Sequence, residues 1–508
     1  MNVKKAKQHI ANTLRAYFAK DKYGQYLIPQ NKQRPILLIG APGIGKTDIV
    51  AQTAAELNIG LVALTMSHHT RESLTGQTVI KHRLYENAEF DISEHTTGEL
   101  IATMYDIARD TGITRGILFI DEINSVLEKN DPVMQQFLQR KTYMGSKLPD
   151  GWVVIASGNI PDYNNTAANF DIFTLDKYKC IDVEPNFEVW KEYSYKASMN
   201  AAVMIYLGLN PYNFYRIDNT EYGTQFVTAR GWEDLSKMIN VYETYNMPVD
   251  SDLVGQYLHH DGITADFTAY YAKYKNIRSK FRIADILDGS ATPEFKASVA
   301  GLGLEDKYTF LGILLDMVCK TTREFLRSSR VFNVVTDYLK GLQSNPTQAL
   351  DLIKKSMAAD RDIIKRAKKA HNLLEENEVF YMMKLASMEK YRAEAAQGGY
   401  ANVKKSYDID AYKFRTTTMN MRSMFTNLFN FCEDVYGEDS NEMGSLVTEL
   451  STNAFTSIYI ARFGCDELHK YDKTDIFKQK HDALLQEVAN MQNATENQST
   501  ETEQPDAQ

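Results

Sequence analysis

Eight consecutive residues, Gly40-Ala-Pro-Gly-Ile-Gly45-Lys46-Thr47, have the spacing G-x-x-x-x-G-K-[ST]. Glycines at these points let the backbone turn tightly, so that successive N–H groups point inward and can cradle phosphate oxygens. A helix starting at the end of the loop adds its positive dipole end. In this pattern Gly40, Ala41, Pro42, Gly43, Ile44 and Gly45 form the cradle. Lys46 reaches the β- and γ-phosphates of a bound nucleoside triphosphate, and the Thr47 hydroxyl ligates Mg²⁺. ATP and Mg²⁺ are therefore the expected ligands.

Two further segments supply what a triphosphate-cleaving site needs. Ile117-Leu-Phe-Ile-Asp121-Glu122 is an apolar run that ends in two carboxylates, 74 residues beyond Thr47. A buried strand of that kind delivers its acids to the carboxyl edge of a sheet, where ligands bind in open α/β folds. Asp121 is placed to hold Mg²⁺ through water, and Glu122 to act as general base toward the attacking water. Val153-Val-Ile-Ala-Ser-Gly-Asn159 is a second such strand, ending in an amide that can orient the water or touch the γ-phosphate. A turn-forming asparagine ahead of Pro161 is the plain alternative.

These groups need a sheet to hold them. Pro35–Gly40, Gly60–Met66, Gly116–Asp121 and Trp152–Gly158 are short, β-rich runs bounded by turn residues. Helical stretches such as Asp48–Leu57 and Thr97–Asp110 lie between them, the alternation of βα units around a mostly parallel sheet. From about Asn186 the strand signal fades and helical periodicity runs to about residue 490, with Gly398–Gly399 as the clearest break. The last residues, ATENQSTETEQPDAQ, are polar and lack aromatics, so a disordered tail is expected.

Hydrophobic residues at 44% and charged residues at 24% give enough apolar material for real cores in a chain of 508 residues. The N-terminal stretch MNVKKAKQHIANTLRAYF carries charges throughout and predicts an amphipathic helix, not a secretory signal. No run approaches the ~18 apolar residues of a membrane helix. Cys180, Cys319, Cys432 and Cys465 lie far apart with no CxxC pair, which suits a reducing cytoplasm better than a disulfide framework or a zinc site. The net charge of −9 argues against a nucleic-acid surface, although Glu496, Glu501, Glu503 and Asp506 in the tail account for part of it.

The order of phosphate loop, Asp-Glu strand and strand-ending Asn resembles that of AAA+ ATPases. Pro35–Thr47, Asp121-Glu-Ile-Asn and Leu148–Asn159 are similar to the MoxR-type branch. Leu74-Thr-Gly76 sits where that branch carries an insertion in its second helix. Phe226-Val-Thr-Ala-Arg230-Gly-Trp232 resembles its sensor-2 motif, whose arginine reaches the nucleotide from a helical lid. The likeness covers residues 1 to about 275. It implies an α/β P-loop AAA+ core, a parallel sheet with flanking helices, over 1–185. A helical lid with sensor 2 over 186–275 follows, then a mostly α-helical C-terminal domain over 276–488 and the tail over 489–508.

The resemblance also implies a ring, a hexamer in this family, and a protein substrate, with a von Willebrand factor A domain protein as one partner class. In that family an arginine after sensor 1 acts on a neighbouring subunit's γ-phosphate. Here the matching stretch is Leu175-Asp-Lys177-Tyr178, and lysine carries the charge without the planar fork. Either Lys177 acts in that slot, or Arg140 does, or neighbours do not complete each other's sites. Thr65 stands where related ATPases keep a polar residue that restrains the catalytic glutamate, though a threonine also simply suits a strand.

Beyond residue 275 no motif is evident. The basic cluster Lys354, Lys355, Arg361, Lys365, Arg366, Lys368 and Lys369 is followed by Glu375, Glu376 and Glu378 and predicts a solvated helix face. Phe425–Cys432 has the spacing of a helical core, and His259-His260 lacks metal-ligand company. The composite expectation is an ATPase that remodels or matures a protein partner. A nucleic-acid translocase and a slow nucleotide switch remain the alternatives.

Overall fold

The computed structural model describes residues 1–65, 78–85, 88–124, 138, 140–143, 146–159, 175–221 and 223–471. Leu74–Gly76, Met66, Pro161 and the expected tail over 489–508 lie outside them. The chain forms two compact units. The first comprises residues 1–189 together with 354–385, and the second comprises 190–353 and the chain from Ala386 onward.

The first unit is built on strands β1 (Ile36–Gly40), β2 (Gly60–Thr65), β5 (Gly116–Asp121), β8 (Trp152–Gly158) and β9 (Lys179–Val183), hydrogen-bonded in the order β2-β5-β8-β1-β9. All pairs are parallel. Hairpin β3 (Thr78–Tyr85)–β4 (Ala88–His95) follows β2, and the short pair β6 (Thr142–Tyr143)–β7 (Ser146–Lys147) precedes β8. Because both faces are covered, β5 and β8 read as continuous apolar runs instead of alternating ones. On one face Leu37, Val62, Leu118, Val154 and Trp152 pack with Ile101, Met104 and Ile107 of helix Glu99–Thr111.

Helix Val3–Phe18 is the predicted amphipathic helix. Asn2 caps it by accepting from Lys5 N at 2.9 Å, and it buries Ala6, Ile10, Leu14 and Phe18. Lys7 ties it to helix Lys46–Glu56 through Glu56 at 2.6 Å. Expected helices over 48–57 and 97–110 appear as Lys46–Glu56 and Glu99–Thr111.

Segment 354–385, which the sequence left inside the helical C-terminal half, belongs to the first unit. Ala370 is fully buried in the sheet's core, and its carbonyl accepts from Leu61 N of edge strand β2 at 3.0 Å. This caps an otherwise open sheet edge. The basic cluster here is partly engaged: Lys369 pairs with Asp110, Lys368 with Glu378, and Arg366 with Asp362.

Among its described residues the second unit is helical apart from hairpin β10 (Arg216–Thr220)–β11 (Gly223–Val227). Tyr206, Trp232 and Phe267 stack edge-on or tilted in its core. Phe425, Leu428, Phe429 and Cys432 are buried, as their helical spacing predicts. His260 caps helix Asp261–Lys280, its Nδ1 accepting from Ile263 N and its Nε2 facing Asp218 at 3.0 Å, a structural role. At Gly398–Gly399 the backbone leaves helical geometry within Glu375–Tyr436, with φ of 63° at Gly399. Among the described residues no helix is long and apolar enough to cross a membrane.

Candidate active site

The loop between β1 and helix Lys46–Glu56 needs glycine for two different reasons. At Gly43 and Gly45 φ is 71° and 88°, the left-handed region that side chains avoid. At Gly40 the constraint is space, because a Cβ would lie 2.4 Å from the carbonyl oxygen of Val183 on β9. Gly45 is the residue from which the helix departs, so the loop and the positive helix end share one place.

Lys46 is buried, and its ammonium donates to Gly40 O at 2.9 Å, Ala41 O at 2.8 Å and Asn159 Oδ1 at 3.0 Å. Lysine and asparagine thus meet across 113 residues. The adjacency follows from sheet order, since β8 lies directly beside β1. Thr47 Oγ1 donates to Asp121 Oδ2 at 3.0 Å. Ser157 Oγ and the backbone N–H of Glu122 (3.0 Å) both bond the other carboxylate oxygen, fixing the orientation of Asp121.

Glu122 is exposed and has φ of 56°, a left-handed conformation rare for a residue with a side chain. Strain of this kind costs about 1–3 kcal/mol and persists where surrounding structure imposes it. The chain turns there out of β5, and Ile123 N is held by Ser157 O at 2.9 Å. In the sheet register Thr65 lies opposite Asp121, one residue from Glu122.

Two positioning residues went unassigned in the sequence. Asn124 accepts from Asn159 N at 2.8 Å and donates to Asn159 O at 3.0 Å, so one buried amide clamps the backbone of the other. Ser157 orients Asp121. Both sat inside the quoted motifs, but only strand pairing shows what they touch.

The remaining two site candidates are not brought to the loop within the first unit. Lys177 is exposed in the turn before β9, whose Lys179 pairs with Ile36 at the start of β1. The phosphate loop leaves the other end of β1, a strand length of about 13–16 Å away. Neighbouring Tyr178 is buried, which pushes its phenol up to about 12. Arg230 belongs to the second unit, in the first turn of helix Ala229–Thr244, where Thr228 caps by accepting from Gly231 N at 3.2 Å. Arg230 is exposed.

Residues 36–174 match the model of the ATPase family associated with various cellular activities (AAA). That span contains the loop, Asp121, Glu122 and Asn159 and ends before Lys177 and Arg230. In comparison with curated proteins the chain finds no significant match. The chain therefore carries an AAA ATPase domain and is an ATP hydrolase, on a parallel sheet with flanking helices followed by a mostly helical region.

Proposed function

We propose that this chain is a MoxR-like AAA+ subunit that assembles into a ring, a hexamer, and spends ATP to remodel or mature a protein partner. The observation that carries the nucleotide chemistry is the convergence of Lys46, Thr47, Asp121 and Asn159 at neighbouring ends of β1, β5 and β8. Thr47 and Asp121 offer hard oxygen donors 3.0 Å apart, a donor set that suits Mg²⁺. Held by Thr47 and Asp121, Mg²⁺ would supply charge neutralisation to the triphosphate.

The chain's own residues do the rest. Lys46 exchanges loop carbonyls for phosphate oxygens. Glu122 takes the proton of the attacking water as its oxygen bonds to the γ-phosphorus and the bond to the bridging oxygen breaks. Asn159, clamped by Asn124, orients that water or contacts the γ-phosphate. Arg230 reaches the nucleotide from the lid, and Lys177 acts on the site of a neighbouring subunit. A cation in the first turn of a helix is disfavoured by the dipole, so Arg230 gains nothing locally from its position. A von Willebrand factor A domain partner rests on the family likeness alone.

Glu122→Gln is expected to bind ATP normally and hydrolyse it about 10²–10⁴-fold more slowly. Lys46→Ala is expected to lose ATP binding. Near-normal turnover in Glu122→Gln would sink the assignment of the base. The Glu122→Gln chain, held with ATP, is also the bait for capturing the protein partner. Turnover stimulated by DNA, and falling steeply with salt, would favour a translocase instead.

A further inference from the structure

After the break at Gly398–Gly399 the long helix of the second unit runs on to Tyr436. One side of it is core: Phe414 stacks on Phe332 with ring centres 4.4 Å apart, and Tyr407 stacks on the same ring. The opposite side is exposed and carries Ile409, Tyr412, Thr416 and Met419, at steps of three, four and three residues. Ile409 is 49% exposed, Tyr412 73% and Met419 68%. Such steps keep side chains on one stripe of a helix, the seam along which two helices pair. A single exposed hydrophobe needs no explanation, but three on one seam mark an interaction surface. Lys404, Lys405, Ile409 and Tyr412 also line an open groove along it.

The chain itself supplies a matching pattern. Beyond Tyr471, the last described residue, the sequence has Phe477, His481, Leu484, Val488 and Met491 at steps of four, three, four and three. Gly and Pro are absent from 472–491, and Ala483, Leu484, Leu485, Gln486 and Glu487 are strong helix formers. Tyr471 fixes where this segment starts. Its ring stacks on Phe429 with centres 6.0 Å apart, and its hydroxyl donates to Glu433 at 2.6 Å. Twenty residues separate Phe429 from Ile409, and twenty separate Tyr471 from Met491. Each span is about 30 Å of helix, so a helix running back from Tyr471 ends level with Ile409.

We propose that residues 477–491 form a helix that docks antiparallel on the 409–419 stripe of the same chain. In that register Met491 lies against Ile409, Val488 against Tyr412, Leu484 against Thr416 and His481 against Met419. It also brings Glu487 alongside Arg415, a flanking pair of opposite charge. The tether at Tyr471 holds this segment at a high effective concentration, an advantage that a second copy or a separate protein lacks.

The test uses the full chain with Cys180→Ser, because Cys180 is exposed and Cys319, Cys432 and Cys465 are buried. Tyr412→Cys is combined with Val488→Cys, or with Gln486→Cys on the outer side of the docked helix, and each is oxidised with glutathione disulfide. The Val488→Cys pair is expected to form an intrachain disulfide about tenfold faster or more, because only that pair comes within the Cα separation a disulfide tolerates. Hydrogen exchange of the chain without added cysteines gives a second reading. Amides of 477–491 are expected to exchange about tenfold or more slowly than in Tyr412→Asp. Tyr412 is exposed, so exchange elsewhere in that variant should match wild type and report an intact fold. Equal rates for the two cysteine pairs, or no cross-link from either, would overturn the proposal. So would disulfide-linked dimers, which would assign the stripe to a second copy, and so would exchange over 477–491 that ignores Tyr412→Asp.

Discussion

Lys141 is a lysine with 1% exposure inside the ATPase unit, and replacing it with methionine should stabilise the protein at neutral pH. Its ammonium donates to Gln33 Oε1 at 3.2 Å and makes no ion pair among the described residues. Burial pulls its pKa down from the ordinary 10.5 to about 8. A difference of 2.5 units, at about 1.36 kcal/mol each, is a penalty of about 3 kcal/mol for burying the charged form. Methionine has similar length and removes that penalty, but leaves Gln33 Oε1 without its donor, which costs about 1–2 kcal/mol. The expected net gain at pH 7 is thus about 1–2 kcal/mol. The sign with pH follows from proton counts. Below pH 8 the lysine is charged in both folded and unfolded chains, so the full penalty applies. Between pH 8 and 10.5 the unfolded chain binds more protons, and wild-type stability rises with pH relative to the variant. The variant's advantage should therefore shrink and reverse by pH 10.5. Urea unfolding of both full-length proteins at half-unit steps from pH 7 to 10.5 measures this directly. A wild-type-minus-variant difference that stays flat across that range would show that Lys141 is not buried as a lone cation.

Gly40→Ala should destabilise the ATPase unit and weaken ATP binding, because the new methyl would press on the carbonyl of Val183. A normal melting profile and normal ATP affinity would refute that close approach. Asn124→Ala should lower kcat at least tenfold with little change in nucleotide affinity, since it frees the backbone of Asn159 without touching the loop. Unchanged kcat in steady-state assays would remove Asn124 from the positioning machinery. Lys177→Ala should lower turnover while leaving nucleotide affinity and assembly intact. Mixing it with Glu122→Gln should restore some activity by pairing an intact Glu122 with a neighbour's Lys177. Wild-type turnover in the assembled Lys177→Ala protein would pass the trans role to Arg140.

The phosphate loop, the two carboxylates and the strand-ending asparagine were legible in the sequence because each depends on local chemistry. Glycine spacing, an apolar run ending in acids, and a buried strand are properties of six to ten adjacent residues. The sheet itself was legible for the same reason, since strands covered on both faces are uniformly apolar. Tertiary structure alone decided what joins these pieces. The Lys46–Asn159 and Thr47–Asp121 contacts arise from strand order, which periodicity does not encode. The clamp by Asn124 and the bond from Ser157 depend on the register of β5 and β8, where a shift of one residue would turn each side chain to the other face. The return of 354–385 to cap β2 was hidden because its helix carries the same charge pattern as a solvated surface, with just Met357 and Ala370 as buried apolar residues. The ion pair of Lys191 with Glu449 in the second unit was equally hidden. Its partners are 258 residues apart, and only helix packing makes them neighbours.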